Sequence, residues 1–109
     1  MTKCTFDMSK FELVCKGHAS EEGEDKSICA ALTTLVLTLA FDIDEIADLC
    51  ADKEIKIESG YYYIKVTPVE GAEDQLAFLF SAFVNGIYML SEDEKLKEHI
   101  TLEVIGSEI

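Results

Sequence analysis

The spacing of apolar residues changes along the chain, and this change constrains the fold more than any other feature of the sequence. Two short runs first alternate with polar residues: Cys4, Phe6 and Met8, then Phe11, Leu13 and Cys15. A period of two indicates half-buried strands, here with a turn at Ser9-Lys10. After Lys26 the apolar residues follow a helical stripe: Ile28, Leu32, Leu35, Val36 and Leu39. The pattern predicts a helix that is apolar nearly all round and central to the domain.

The rest of the chain repeats both patterns. A short second helix is predicted to begin near Asp44 and to bury Ile46 and Leu49. Residues 54–58 and 61–67 alternate on either side of a turn, which predicts a hairpin. A long helix is marked by Leu76, Leu79, Phe80, Phe83, Val84, Ile87 and Leu90. A last strand is marked by Ile100, Leu102 and Val104.

These elements predict the α+β class. We expect a small mixed or antiparallel sheet packed against two main helices, in the order β-β-α-(short α)-β-β-α-β. A chain of 109 residues suits one domain, residues 1–109. The long second helix also carries apolar residues outside its core stripe, at Ala77, Phe78 and Ala82. This surplus predicts a homodimer contact.

The charge balance limits the partners of the chain. Nine basic and 22 acidic residues give a net charge of −13, so we expect no direct nucleic-acid binding. Such a surface would attract a basic partner, or it serves solubility alone. The apolar stretch from Ile28 to Phe41 is too short for a membrane span, and residues 1–10 carry no apolar signal core. A cytoplasmic protein with reduced cysteines is therefore expected.

One cysteine stands where a helix start would activate it. Cys29 is predicted to lie in the first turn of the central helix, where backbone N–H groups have no intrahelical acceptor. These groups and the helix dipole favour an anion, and the thiolate is the nucleophilic form of cysteine. The N–H groups of Cys29 and Ala30 are candidates for an oxyanion hole. A cysteine at this position also serves as a small packing residue, and that alternative stays open.

A histidine precedes this cysteine at the end of a predicted strand. An unperturbed imidazole titrates near neutrality, so a histidine such as His18 suits a base that takes the thiol proton and later gives one to the leaving amine. Asp25, Glu24 and Glu22 are candidates for orienting it, and the sequence does not choose among them. Catalysis by this pair requires no cofactor. His18 would otherwise be an ordinary surface residue.

Metal or redox chemistry would use the same residues differently. Cys15, His18 and Cys29 could contribute three zinc ligands, but Cys15 is predicted to point into the core and no fourth ligand is evident, so no metal is expected. The chain has no Cys-x-x-Cys pair, which disfavours a thiol redox protein. Cys4 and Cys50 are predicted to fill the core. The run Tyr61-Tyr62-Tyr63 is strand-forming, and one of its rings is a candidate for lining a substrate groove.

The stretch around these residues resembles the bacterial ribosomal-processing cysteine protease (Prp) family. The resemblance rests on Gly17-His18-Ala19, an acidic glycine-containing loop, and Cys29-Ala30-Ala31 followed by hydroxyls at Thr33 and Thr34. The order of elements along most of the chain is also that of the family. Three departures are visible: a loop one residue shorter, Lys26 where the family has an aspartate (Asp25 lies one earlier), and Thr33 where it has a serine.

The resemblance implies a function. Family members remove a short N-terminal extension from a large-subunit ribosomal protein. Their nucleophile is the cysteine that corresponds to Cys29, and their base is the histidine that corresponds to His18. Family members look like homodimers, and a mobile loop lies between their two catalytic residues. The resemblance implies that this loop is Ala19 to Ser27 here. A basic ribosomal precursor suits the acidic surface. The alternative is a non-catalytic acidic module that binds a basic ribosomal protein or the ribosome.

Overall fold

The computed structural model of the chain describes residues 1–17 and 27–106. Their elements follow in the order β1 (Thr2–Asp7), β2 (Glu12–Lys16), α1 (Ser27–Glu45), a 3-10 helix (Ala47–Leu49), β3 (Cys50–Glu58), β4 (Tyr61–Pro68), α2 (Glu73–Glu92) and β5 (Ile100–Ile105). The five strands form one sheet in the order β3-β4-β2-β1-β5. Only the β1–β5 pair is parallel among these neighbours, so the sheet is mixed. The predicted α+β class is confirmed.

One face of the sheet is buried and the other is open. Side chains alternate between the faces, as the period of two requires. The buried residues also meet across the strands, because Cys4 lies opposite Cys15, and Leu13 lies opposite both Phe6 and Ile64. Both helices contribute to the same core cluster as these strand residues. The domain therefore has two layers, with the helices on a single face of the sheet.

Each long helix presents one stripe to the sheet. The buried stripes are Leu32, Val36, Leu39 and Ile43 on α1, and Leu76, Phe80, Val84 and Ile87 on α2. Phe80 lies at the centre of the core: its ring stacks on Phe6 at a centroid distance of 5.4 Å and lies 5.8 Å from the ring of Phe11. None of the helices in the described part of the chain has the length and apolar character that crossing a membrane requires.

Two expectations about the helices need correction. The predicted short helix is present as the 3-10 helix Ala47–Leu49, but it begins after Asp44, because α1 continues to Glu45; nothing in that stretch is a proline or glycine that would end α1 earlier. Asp44 instead lies in the last turn of α1 and forms an ion pair with Lys53. The helix α1 is also not enclosed, since Leu37 and Phe41 on its outer side are 47% and 66% exposed.

Replacement of Phe80 tests the position of the core. Phe80→Ala removes a fully buried ring from the stack on Phe6, so we expect the free energy of unfolding to fall by about 3–5 kcal/mol. Phe80→Leu keeps most of the apolar volume and should cost only about 1.5 kcal/mol. Denaturant unfolding followed by circular dichroism measures both. A Phe80→Ala variant as stable as the unmodified protein would contradict this core.

Candidate active site

The structure places Cys29 as the third residue of α1. The helix begins at Ser27, so Cys29 lies in its first turn, as predicted. The N–H groups of a helix's first turn lie at the positive end of the helix dipole. The first turn carries no acidic residue that would oppose a negative charge. A helix start of this kind is the setting that the prediction for Cys29 requires.

Two features make the side chain of Cys29 accessible from one side. It is half-buried and packs against the edge of the core, and the neighbouring Ala30 is exposed. An open groove of about 580 Å³ lies beside it, between the start of α1 and the end of α2. Its lining consists mostly of small and apolar residues: Ala30, Ala31, Thr34, Leu35, Gly86, Met89 and Leu90. None of the residues that line this groove is charged, so it suits an apolar or backbone segment of a polypeptide.

The strand β2 delivers the chain to this site through Gly17. The φ angle of Gly17 is +99°, and a Cβ there would lie 2.3 Å from the carbonyl oxygen of Met1. A side chain is thus excluded by both the backbone angle and the contact. The Gly17 N–H donates a hydrogen bond to the Gly60 carbonyl at 2.9 Å. Glycine is required at this position to turn the chain at the end of β2.

The remaining predicted site residues follow Gly17 directly. His18, Glu22, Glu24 and Asp25 lie outside the described residues, as does the rest of the segment 18–26. Ser27, which we expected to close the loop, is instead the first residue of α1. The structure therefore locates Cys29 and both ends of this segment.

A tyrosine on the sheet contacts α1 one turn beyond Cys29. The hydroxyls of Thr33 and Tyr62 are 2.6 Å apart, which joins β4 to the helix. Within the run of three tyrosines, Tyr62 is in phase with the buried Ile64 and faces the helices. Tyr61 and Tyr63 face the open side, where the Tyr63 hydroxyl donates to Glu12 and that bond raises the pKa of Tyr63 to about 12. The alternation of buried residues in β4 was the signal that could have singled out Tyr62.

The other three cysteines lie outside the start of α1, and the surroundings of Cys15 and Cys50 disfavour a thiolate. Cys4 and Cys15 are buried opposite each other on β1 and β2. A hydrogen bond with Cys4 raises the pKa of the Cys15 thiol far above its ordinary value, and burial raises it further. Burial also raises the pKa of Cys50, which Lys53 opposes in part. Cys4 and Cys15 lie in the core, as predicted. Cys50, which was also predicted to fill the core, is only half-buried.

Comparisons with known proteins agree with this architecture. The family model described as cysteine protease Prp matches residues 1–101. No curated protein matches the sequence significantly. Among solved structures, SMU.848 from Streptococcus mutans has a TM-score of 0.67 at 24% sequence identity, with 94% of this chain and 94% of that chain covered.

Two structures of a ribosomal processing protease are also similar. The essential protease Prp from S. aureus, in complex with a covalently linked product peptide, has a TM-score of 0.69 at 18% identity over 95% of this chain and 99% of that chain. The same protease with a substrate peptide has a TM-score of 0.66 at 16% identity, with coverage of 94% and 96%. These likenesses establish a shared fold.

Thiol reactivity tests the setting of Cys29. At neutral pH we expect iodoacetamide to alkylate Cys29 about tenfold faster than Cys50, and Cys4 and Cys15 more slowly still, because thiolate fraction and exposure set the rate. Peptide mass spectrometry after timed quenching assigns each rate. In a Cys29→Ala variant the fast phase should vanish. Four cysteines that react at similar slow rates would contradict an activated thiol.

Proposed function

Because a family model matches residues 1–101, this chain belongs to the Prp family of cysteine proteases, and we propose that it removes a short N-terminal extension from the precursor of a basic large-subunit ribosomal protein. The observation that carries the proposal is the position of Cys29 in the first turn of α1, in a chain of this family. Support for the substrate class comes from S. aureus Prp, which is described as a ribosomal processing protease.

In the proposed reaction, Cys29 is the nucleophile and His18 moves the protons. His18 takes the proton of the thiol, and the sulfur attacks the carbonyl carbon of the scissile bond. The N–H groups near the helix start, at Cys29 and Ala30, stabilise the oxyanion of the tetrahedral intermediate. Both groups belong to the first turn of a helix that begins at Ser27, at the positive end of its dipole.

Collapse of the intermediate cleaves the peptide bond. His18 gives its proton to the leaving amine, which departs as the new N-terminus of the mature protein, and the rest of the substrate remains as a thioester on Cys29. His18 then takes a proton from water, and the resulting hydroxide attacks the carbonyl carbon of the thioester. The C–S bond breaks, the proton on His18 returns to the sulfur, and the acid product leaves and ionises to a carboxylate. Asp25 or Glu24 is the proposed orienting group for the imidazole.

The charge of the protein suits such a substrate. A net charge of −13 attracts a basic precursor and repels the phosphates of RNA, so the enzyme would act in the cytoplasm on the free protein rather than through direct nucleic-acid contact. The same charge favours the second candidate function, a non-catalytic module that binds the basic protein through its acidic surface. Both candidates predict binding that weakens with salt. Only the protease requires the thiol of Cys29.

Cleavage of the precursor decides between the two. Purified protein is incubated with the organism's own precursor of the ribosomal protein, and the products are read by intact mass. We expect one N-terminal cut with the unmodified protein, none with Cys29→Ala, and near-normal cleavage with the matched control Cys50→Ala, which removes a half-buried thiol outside the site. If Cys29→Ala cleaves as well as the unmodified protein, the nucleophile assignment is wrong. Salt-sensitive binding without any cut would support the binding module.

We also propose that the protein forms a homodimer through the outer face of its two helices. That face exposes four large apolar side chains: Leu37, Phe41, Phe78 and Met89. No charged residue occurs in 27–41 or in 75–91, although the chain has nine basic and 22 acidic residues. Two copies with a charge of −13 each repel one another over most of their surfaces, so an uncharged apolar face is where they can associate.

A charge placed on this face should separate the copies. Phe78 is 82% exposed, so Phe78→Glu should leave the monomer folded but bury a carboxylate in the dimer. Light scattering after gel filtration should give about twice the 12.1 kDa of one chain for the unmodified protein and a single chain for the variant. Thr101→Glu, on the exposed side of β5, is the matched control and should stay dimeric. An unmodified protein that is monomeric at micromolar concentration would overturn the proposal.

A further inference from the structure

The strand β3 is an open edge of the sheet. It lies outside β4, and no other strand of the described residues pairs with its free side. Every residue of β3 except Cys50 and Ile55 is exposed. From Asp52 to Glu58 its pairing with β4 is regular, so the N–H and C=O groups of alternate residues point outward without a partner in the sheet. Such an edge can accept an extended peptide as a further strand.

On the helix side this edge is apolar. Ile57 lies opposite Tyr62 in the β3–β4 register, and opposite residues of an antiparallel pair lie on the same face. Both side chains therefore face the helices. Ile55, two residues earlier, packs against the core cluster, whereas Ile57 is 36% exposed. An apolar side chain of an added strand would cover Ile57 and remove it from water.

On the open side the same edge is acidic. Asp52, Glu54 and Glu58 alternate with the isoleucines and therefore lie on the other face, where they outnumber Lys56. The other lysine of the strand, Lys53, is on the helix side and is paired with Asp44 of α1. A basic segment that runs along β3 thus meets opposite charge.

The edge lies close to Cys29. Tyr62 joins β4 to α1 through the contact of its hydroxyl with Thr33, and Cys29 lies one helical turn, about 5.4 Å, before Thr33. Ile57 is one strand spacing, about 4.8 Å, beyond Tyr62. An extended chain advances about 3.3 Å per residue, so roughly four residues of a substrate held at the thiol reach from Cys29 to β3. The other edge strand, β5, is on the far side of the sheet.

We propose that the free edge of β3 binds an extended segment of the basic precursor as an added strand, with apolar side chains toward Ile57 and basic side chains toward Glu54 and Glu58. Successive side chains of an extended peptide alternate, so one segment meets both sides of the edge. Backbone hydrogen bonds to β3 hold the segment in one register and place its neighbouring residues at Cys29. The proposal rests on the proposed function, which supplies the identity of the peptide.

Hydrogen exchange detects the added strand without catalysis. Cys29→Ala protein is mixed with an excess of a peptide that spans the cleavage site, and amide exchange is followed by mass spectrometry. We expect the outward N–H groups of residues 52–58 to exchange at least about tenfold more slowly with the peptide, because they become hydrogen-bonded. Residues 100–105 of β5 are the internal control and should exchange as before.

Matched substitutions on the two edge strands test the side chains. Ile57→Thr should raise KM for the peptide about tenfold with little change in kcat, since the lost contact is away from the reacting atoms. Val104→Thr is its control, because Val104 is 43% exposed on β5. Glu54→Lys should raise KM about three- to tenfold and weaken its dependence on salt. Glu103→Lys makes the same change of charge at an exposed position of β5 and should match the unmodified protein.

The outcomes separate this surface from the proposed function. If the peptide fails to bind Cys29→Ala protein, or binds and leaves the exchange of residues 52–58 unchanged, the edge-strand proposal is overturned even where the unmodified protein cleaves. Folded Ile57→Thr and Glu54→Lys variants that match their controls would overturn it too. If a variant does not fold, the exchange measurement, which changes no residue of β3, decides alone.

Two further results have distinct meanings. Failure of the unmodified protein to cleave overturns the protease alone, and peptide-dependent protection of β3 in such a protein would support the edge as the surface of the non-catalytic module. Protection of β3 that is present without peptide and grows with protein concentration would assign the edge to a second copy of the chain and overturn the proposal.

Discussion

Burial of a single face of the sheet is the constraint on which the rest of this structure depends. The register of β1, β2 and β4 places Cys4 beside Cys15, and Leu13 beside Ile64, so the buried side chains form continuous rows. A slip of one residue in any pairing would turn a whole strand's apolar set toward water. Both helices must then cover the same face. The chain that leaves β2 at Gly17 therefore returns on the helix side of the sheet, and α1 begins there with Cys29 in its first turn.

The elements that follow a simple period could be predicted, and those at exposed edges could not. The strands of residues 1–16, the hairpin turn and the long helix α2 all follow from hydrophobic spacing, because each buries one clear face. The strand β3 begins at Cys50 rather than at Glu54, since its first residues are exposed on an edge and carry no alternation. The short helix was predicted to begin near Asp44 and instead begins at Ala47, because the apolar spacing changes near Asp44 while the backbone of α1 continues to Glu45. Helix ends depend on backbone breaks more than on the buried stripe.

The candidate site divides in the same way. Cys29 in a first helical turn and the glycine before His18 could be found from the sequence, because local rules govern both positions. The alternation in β4 singles out Tyr62 as facing the helices, but its contact with Thr33, like that of Thr2 with Gly17, could not be found, since each joins residues far apart along the chain. Such contacts depend on strand order and on how α1 packs over the sheet. The membership in a protease family shows what chemistry the chain performs, but it does not show these contacts.

The two layers of the fold hold the two ends of the segment 18–26: β2 leads into Gly17, and α1 begins at Ser27, two residues before Cys29. The sheet fixes Gly17, and through it the start of the segment that carries His18, by hydrogen bonds from Thr2 and to Gly60. The helix layer fixes Cys29, and the Thr33–Tyr62 contact joins that layer to the sheet one turn away. The position of Cys29 relative to Gly17 thus depends on how the layers pack. Because cores are close-packed and yield little, the stack of Phe80 on Phe6 between the layers would affect catalysis without touching the substrate. Stability and activity are therefore coupled in this small domain through the same interface.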